Sequence, residues 1–320
     1  MTETHVAEID AALGVTREKG LGLAEMTVEN FPLPTFSEDL GEMRRELEEG
    51  TGAQLYRGFP VSNYSKDELR TIYWGIGLHV GWAVSQSKRG DMLGDVRDIG
   101  TPRDGPAFRG YTSSGELTFH TDAADVTGLF CLHPAKSGGI SRIVSAAAIH
   151  NEILRTRPDL LDVLYGNYWW SRQGNELPGQ EPYYTQPIFA DEDGYFASRY
   201  TPTHIRSATR SGATPPPTGA QIEALDYVEE LNNRPEFFLE MMFEAGDIQF
   251  LNNHLTYHMR TEFEDFDEPE KKRHLLRLWL SIPNSRPLSQ GFAPFFGDVS
   301  AGVIRGGFPG HGAEAHFVTA

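Results

Sequence analysis

The segment Arg273-His274-Leu275-Leu276-Arg277-Leu278-Trp279-Leu280-Ser281-Ile282 leaves the chain few ways to fold. Read as a strand, its side chains alternate between two faces. His274, Leu276, Leu278, Leu280 and Ile282 share one face, which is almost wholly aliphatic and must be buried. Arg273, Leu275, Arg277, Trp279 and Ser281 share the other. A guanidinium directed into a barrel needs an anion, because an unpaired buried charge is strongly destabilising. A dicarboxylate gripped bidentately would supply one. Taken alone, a half-exposed strand with solvated arginines is the simpler reading.

Strands dominate from about residue 80 onward. Tyr183 to Tyr200 reads as a hairpin turning at Asp191-Glu192-Asp193-Gly194. Phe237 to Phe243 and Ile248 to Leu251 read as a second hairpin around Glu244-Ala245-Gly246-Asp247. Helices are expected at Ala146 to Arg155 and at Gln221 to Leu231, the latter capped by Thr218, and Ser211 to Pro217 is a proline-rich surface loop. The first 80 residues or so look α/β. Ser37 leads an acidic helix ending at Gly50, and Ser65-Lys66-Asp67-Glu68 is a capping box for a helix through about Ile76. Gln54 to Phe59 is a short strand between them. The expectation is a mainly β fold with peripheral helices, a single domain over 1–320, its first 80 or so residues packing on the β core.

Bulk properties exclude several classes. The chain has 28 basic and 45 acidic residues, net charge −17, and its only Lys/Arg run is Lys271-Lys272-Arg273. That is not the electrostatic footprint of a nucleic-acid binder. No stretch approaches the ~20 apolar residues that span a bilayer. The polar, acidic start from Met1 to Asp10 lacks the pattern of a signal peptide, so a cytoplasmic protein is expected. Cys131 is the one cysteine; it permits no intrachain disulfide, excludes a cysteine-rich zinc site, and reads as a small core residue.

The chemistry gathers at two motifs. In Glu116-Leu117-Thr118-Phe119-His120-Thr121-Asp122, an extended backbone points His120 and Asp122 the same way, so both can reach one metal ion. A third ligand from elsewhere, most simply a histidine, would complete a two-His, one-carboxylate triad suited to iron(II) oxygenases. Asn252 to Arg260 offers His254 and His258. Their spacing of four would suit a zinc helix, but no Glu follows His254 and a turn and strand precede it. One histidine is then the ligand and the other a supporting or surface group.

Phe119-His120-Thr121-Asp122, then Ser137-Gly138-Gly139-Ile140-Ser141, Gly246-Asp247, Asn253 to His258, and Arg273 with Arg277 together resemble the taurine dioxygenase and clavaminate synthase-like family. The motifs fall in the family's order, with weaker similarity from near residue 30. The resemblance implies a double-stranded β-helix, a cupin-like jelly roll with iron in one mouth. It also implies His120, Asp122 and His258 as ligands to Fe(II), and Arg273 and Ser141 on the distal carboxylate of 2-oxoglutarate; Ser141 stands where the family often has Thr. Arg277 matches an arginine that in some members reaches a substrate or cosubstrate carboxylate. Asp122 argues against a halogenase, since halogenating relatives lack this carboxylate.

The reaction so implied consumes O2 and 2-oxoglutarate, releases succinate and CO2, and oxidises a small molecule, by hydroxylation as the default and by desaturation or cyclisation as variants. A carboxylate-bearing substrate is expected from Arg277. Glu116 and His79 are further candidate substrate contacts, and Trp169, Trp170, Tyr183 and Tyr184 read as core or as a pocket wall. Neither nucleic acid nor membrane is expected as a partner, and a homo-oligomer is possible. Two alternatives remain at this point: a cupin-like zinc or manganese hydrolase or isomerase, and a non-catalytic ligand-binding barrel. The first leaves Arg273 and the Gly-Gly-x-Ser motif without a role, and the second would not require three metal ligands in the family's order.

Overall fold

The computed structural model describes residues 1–100, 110–210, 212–308 and 315–317. Two antiparallel sheets form its centre. The larger has strand order Ala53–Tyr56, Ile248–Asn252, Val126–His133, His274–Ser281, Trp82–Ala83, with Leu93–Val96 also pairing the His274–Ser281 strand. The smaller runs Phe238–Met241, Ser141–Ser145, Thr256–Arg260, Leu117–His120. No pairing among the described residues closes the two sheets into a barrel.

Each sheet is covered on its outer face by helices, and this is where the hydrophobic periodicity is spent. Leu276, Leu278, Leu280 and Ile282 pack with Ile72, Tyr73, Ile76 and Val80 of the helix Lys66–Val80 and with Leu40, Met43 and Leu47 of the helix Phe36–Glu49. On the smaller sheet Phe119, Val144, Tyr257 and Met259 pack with Ile149, Ile153, Leu164 and Val228 from the helices Ala146–Thr156, Pro158–Tyr165 and Gly219–Asn232. Burying each Leu or Ile this way is worth about 1.5–3 kcal/mol. Chain order thus leaves the opposite, inward faces for the polar side chains.

Local signals act largely as expected. Ser65 and Glu68 form their capping box, although that helix continues to Val80. Thr218 caps its helix with Gln221, and Ser145 caps the helix Ala146–Thr156. The acidic helix starts at Phe36, ahead of Ser37. The carboxylate of Glu8, on a helix Glu3–Lys19 that the sequence reading missed, accepts from the Thr35 and Phe36 N–H groups. Ser211 lies outside the described residues.

One expected hairpin forms with different bounds and the other does not form. The real hairpin is Phe189–Glu192 with Tyr195–Ser198, while Tyr183–Gln186 pairs with Tyr168–Ser171. Phe238–Met241 and Ile248–Asn252 lie in different sheets, so the Glu244–Asp247 break is a crossing between sheets. Gly246 makes the crossing possible: its φ is 93°, and a Cβ there would sit 2.0 Å from the Phe59 carbonyl oxygen. Only glycine tolerates both demands.

Candidate metal and cosubstrate site

His120 and His258 lie directly opposite each other on neighbouring strands of the smaller sheet, their rings 4.4 Å apart. Asp122 follows where that strand ends. Its N–H donates to Asn253 Oδ1 at 3.0 Å and its Oδ2 accepts from Thr127 Oγ1 at 2.8 Å. One nitrogen from each imidazole and one carboxylate oxygen gather within 4.8 Å of one another, the one such His/Cys/Asp/Glu group among the described residues. His120 Nδ1 sits 2.8 Å from the Thr118 carbonyl, which makes Nδ1 the protonated nitrogen and leaves the Nε2 lone pair for a metal.

The charge states suit a divalent cation. Burial, reinforced by His120, pushes the His258 imidazole down to about 3 against the opposing pull of Asp122, so it is neutral at physiological pH. Burial works to raise Asp122, yet Arg277, the two imidazoles and the Thr127 hydroxyl outweigh it and hold the carboxyl at about 2. A neutral imidazole at His258 and a carboxylate at Asp122 are protonation states that metal binding needs.

His254 is placed elsewhere. It is buried, with Nε2 2.9 Å from Asp125 Oδ1. Arg273 and Arg277 both lie on the inward face of their strand and both are buried, so the half-exposed reading of that strand does not hold. Arg277 donates through Nε to Gln86 at 2.7 Å, its Nη1 is 3.6 Å from Asp122, and its guanidinium lies over Tyr111 and Trp279. Arg273 packs against Phe263, and a Cβ on Gly139 would lie 3.5 Å from its Nε. Its Nη1 is buried without a partner.

Arg260, which the sequence reading named but gave no role, lies beside Arg273, and period two puts it on the His258 face. It flanks the same Phe263 ring, donates to the Ser113 and Gly115 carbonyls, and keeps Nη1 buried and unpartnered. Burial lowers Arg273 to about 10, while burial and the neighbouring Arg273 lower Arg260 to about 9. Two buried cations with spare donors fit a carboxylate between them. Ser141 is buried directly across from Arg260.

Two sequence candidates fall away from this cluster. His79 belongs to the helical layer outside the larger sheet, where a ring nitrogen is 2.7 Å from the Phe31 carbonyl and its own carbonyl accepts from Arg44. Its polar atoms are thereby satisfied away from the mouth. Glu116 is exposed at the rim of a cavity of about 50 Å³ shared with Thr118, Tyr200 and Asn232.

Sequence comparison decides what this geometry belongs to. Residues 18–279 match the family described as taurine catabolism dioxygenase TauD, TfdA family. The chain belongs to this family. Among curated TauD/TfdA relatives, FR-33289 synthase of Streptomyces rubellomurinus is 33% identical over 287 residues, covering 88% of this chain and 84% of that protein. Taurine hydroxylase-like protein SAT17 of Stachybotrys chartarum is 30% identical over 292 residues, covering 87% and 73%. In three dimensions, asparagine oxygenase in complex with Fe(II), 2S,3S-3-hydroxyasparagine and succinate superposes with a TM-score of 0.68 at 18% identity, covering 88% of this chain and 92% of that one. The two-sheet core is the family's double-stranded β-helix. The TauD/TfdA protein is a non-haem iron oxygenase that uses iron(II), 2-oxoglutarate and O2, and the hydrolase and ligand-barrel readings are set aside. No helix among the described residues is long and apolar enough to cross a membrane.

Proposed function

We propose that His120, Asp122 and His258 hold iron(II), that Arg273 with Ser141 receives the distal carboxylate of 2-oxoglutarate, and that the enzyme oxidises an anion-bearing small molecule beside Arg277. The observation that carries the reading is the three-ligand cluster on one inward face, with the unpartnered buried guanidinium of Arg273 on the facing strand. When bound, iron(II) and 2-oxoglutarate supply the oxidising power drawn from O2, with succinate and CO2 released.

The chain's own contribution is placement and charge. Thr118 fixes the His120 ring, while Thr127 and Asn253 fix Asp122, so the ligands are oriented before metal arrives. Arg273 neutralises the far end of the cosubstrate in a dry setting where that contact is strong. Gln86 holds Arg277 from both sides, accepting from its Nε and donating to its backbone carbonyl at 2.9 Å. That leaves the η nitrogens of Arg277 turned toward Asp122 and the reacting region. Trp279, Phe308, Ala123 and Val84 form an apolar wall there and limit water. The deciding experiment is succinate release and O2 uptake by iron(II)-reconstituted protein, which the reading requires to depend on 2-oxoglutarate.

Arg273→Ala is expected to raise the KM for 2-oxoglutarate at least about tenfold, because a charge-assisted contact worth roughly 1.5–3 kcal/mol is removed. Iron affinity, measured by anaerobic titration, should hardly move. An unchanged 2-oxoglutarate dependence rules this assignment out.

A further inference from the structure

Among the described residues eight arginines are buried. Arg70, Arg286 and Arg305 pair with the buried carboxylates of Asp95, Glu48 and Asp125, and Arg277 lies 3.6 Å from Asp122. The guanidinium groups of the other four have no carboxylate within 4 Å among the described residues, in a chain of net charge −17. They form two pairs. Arg260 and Arg273 share the ring of Phe263, and Arg273 is the residue proposed above for the cosubstrate. Arg172 and Arg199 share the ring of Tyr184. Nothing in the oxygenase chemistry above uses the second pair.

Arg199 is 2% exposed and its Nε is buried without a partner. Its guanidinium is 3.7 Å from the centre of the Phe295 ring and 4.8 Å from that of Trp170, and it donates to the Tyr184 hydroxyl and to Gln186 Oε1. Arg172, 9% exposed, spends Nε on the Glu181 carbonyl and Nη2 on the Pro294 carbonyl at 2.7 Å. Glu176 lies near Arg172 but beyond ion-pair distance, with Oε2 itself unpartnered. Aromatic faces offset only part of the desolvation of a buried cation.

The pair is also well placed. Tyr200, next to Arg199, exchanges hydrogen bonds with Thr121, the residue between His120 and Asp122, at 2.7 and 3.2 Å. Phe295, partly exposed, covers Arg199 on one side and packs at 5.8 Å on Phe308 of the apolar wall beside the metal loop. The Phe295 ring therefore lies between Arg199 and the wall of the reacting region.

We infer that Arg172 and Arg199 form a second anion subsite, reached by displacement of Phe295, that takes the dianionic oxyanion group of the prime substrate at the end remote from the oxidised carbon. The inference rests on the oxygenase reading and adds the substrate's class. Arg277, already engaged by Gln86 and Asp122, then attends the part of the substrate nearest the iron, while the remote charge goes to the two guanidiniums.

The test uses calorimetry on the anaerobic protein loaded with iron(II) and saturated with 2-oxoglutarate, so that Arg273 is occupied. The probe is inorganic phosphate, with acetate at equal concentration as the monoanionic arm. Wild-type protein should bind phosphate more tightly than acetate. Arg199→Lys keeps the charge and the ring contacts but loses the planar fork, and Arg172→Gln leaves Arg199 in place; each should weaken phosphate about tenfold. Equal phosphate affinity in wild type and both variants, or no phosphate binding to wild type, overturns the subsite. Acetate binding as tightly as phosphate overturns the dianion assignment. Succinate formation by the wild-type protein is measured separately: its absence defeats the oxygenase reading, whereas its presence with no phosphate binding defeats only the subsite.

Discussion

His258→Ala is expected to abolish turnover and to strip the protein of stable iron, whereas His254→Ala should still bind about one iron per chain, as a site with an intact facial triad does. The two histidines are four residues apart, His254 buried and His258 partly so, and they face different partners. His258 opposes His120 across a strand pair, with a ring nitrogen 3.8 Å from Asp122. His254 faces Asp125 at 2.9 Å, and its ring lies tilted against that of Phe296 with centroids 5.4 Å apart. His254→Ala should therefore lower stability by about 1–3 kcal/mol, the usual effect of leaving a buried group short of one partner. Iron stoichiometry after anaerobic loading, read beside a thermal melt, separates the two roles. Metal retained in His258→Ala and lost in His254→Ala would reverse the assignment.

How far the sequence reached depended on whether a signal was local. Period two on Arg273 to Ile282 correctly sorted an aliphatic back from an arginine-bearing front, and the same rule aligned His120 with Asp122. It could not say whether the front was wet or dry, because that depends on Tyr111 and Trp279 covering Arg277. The choice of His258 over His254 came only from family resemblance; the physical discriminator is strand register against His120. The second expected hairpin failed because turn residues mark where a strand ends but not which sheet the next strand joins, whereas the first formed at its expected turn with a shorter leading strand. Gln86 gave no signal, because its role exists only once Arg277 lies beside it, 191 residues away in sequence. His79 misled because a histidine at a helix end satisfies its ring through any nearby carbonyl, here that of Phe31.

Asp125→Ala is expected to cost about 3–5 kcal/mol of stability, the range seen when one member of a buried ion pair is removed. Asp125 lies three residues beyond the proposed ligand Asp122 and is fully buried. One oxygen takes His254 at 2.9 Å and Arg305 Nε at 2.8 Å; the other takes the Ser281 hydroxyl at 3.1 Å and the Ile282 N–H at 3.4 Å. The group so joins the metal loop, the end of the Arg273–Ile282 segment and the C-terminal stretch through Arg305. Burial works to raise the Asp125 carboxyl, but His254 and Arg305 outweigh it and hold it below the usual range. Burial lowers His254 to about 4 from an ordinary 6.5. Both folded values are depressed, so the unfolded chain binds protons first and stability falls with acid. The His254 contribution is present above about pH 6.5 and is lost progressively toward pH 4; the Asp125 contribution is lost only below the ordinary carboxylate range. Wild-type protein should therefore lose melting temperature from pH 6.5 down to 4, and His254→Ala should show a shallower slope across that window. Replacing both charges, as in Asp125→Leu with Arg305→Met, should recover much of what Asp125→Ala loses, because no uncompensated guanidinium then remains buried. A double variant no more stable than Asp125→Ala, or identical pH slopes with and without His254, would show that this cluster is not what joins the C-terminal stretch to the metal loop.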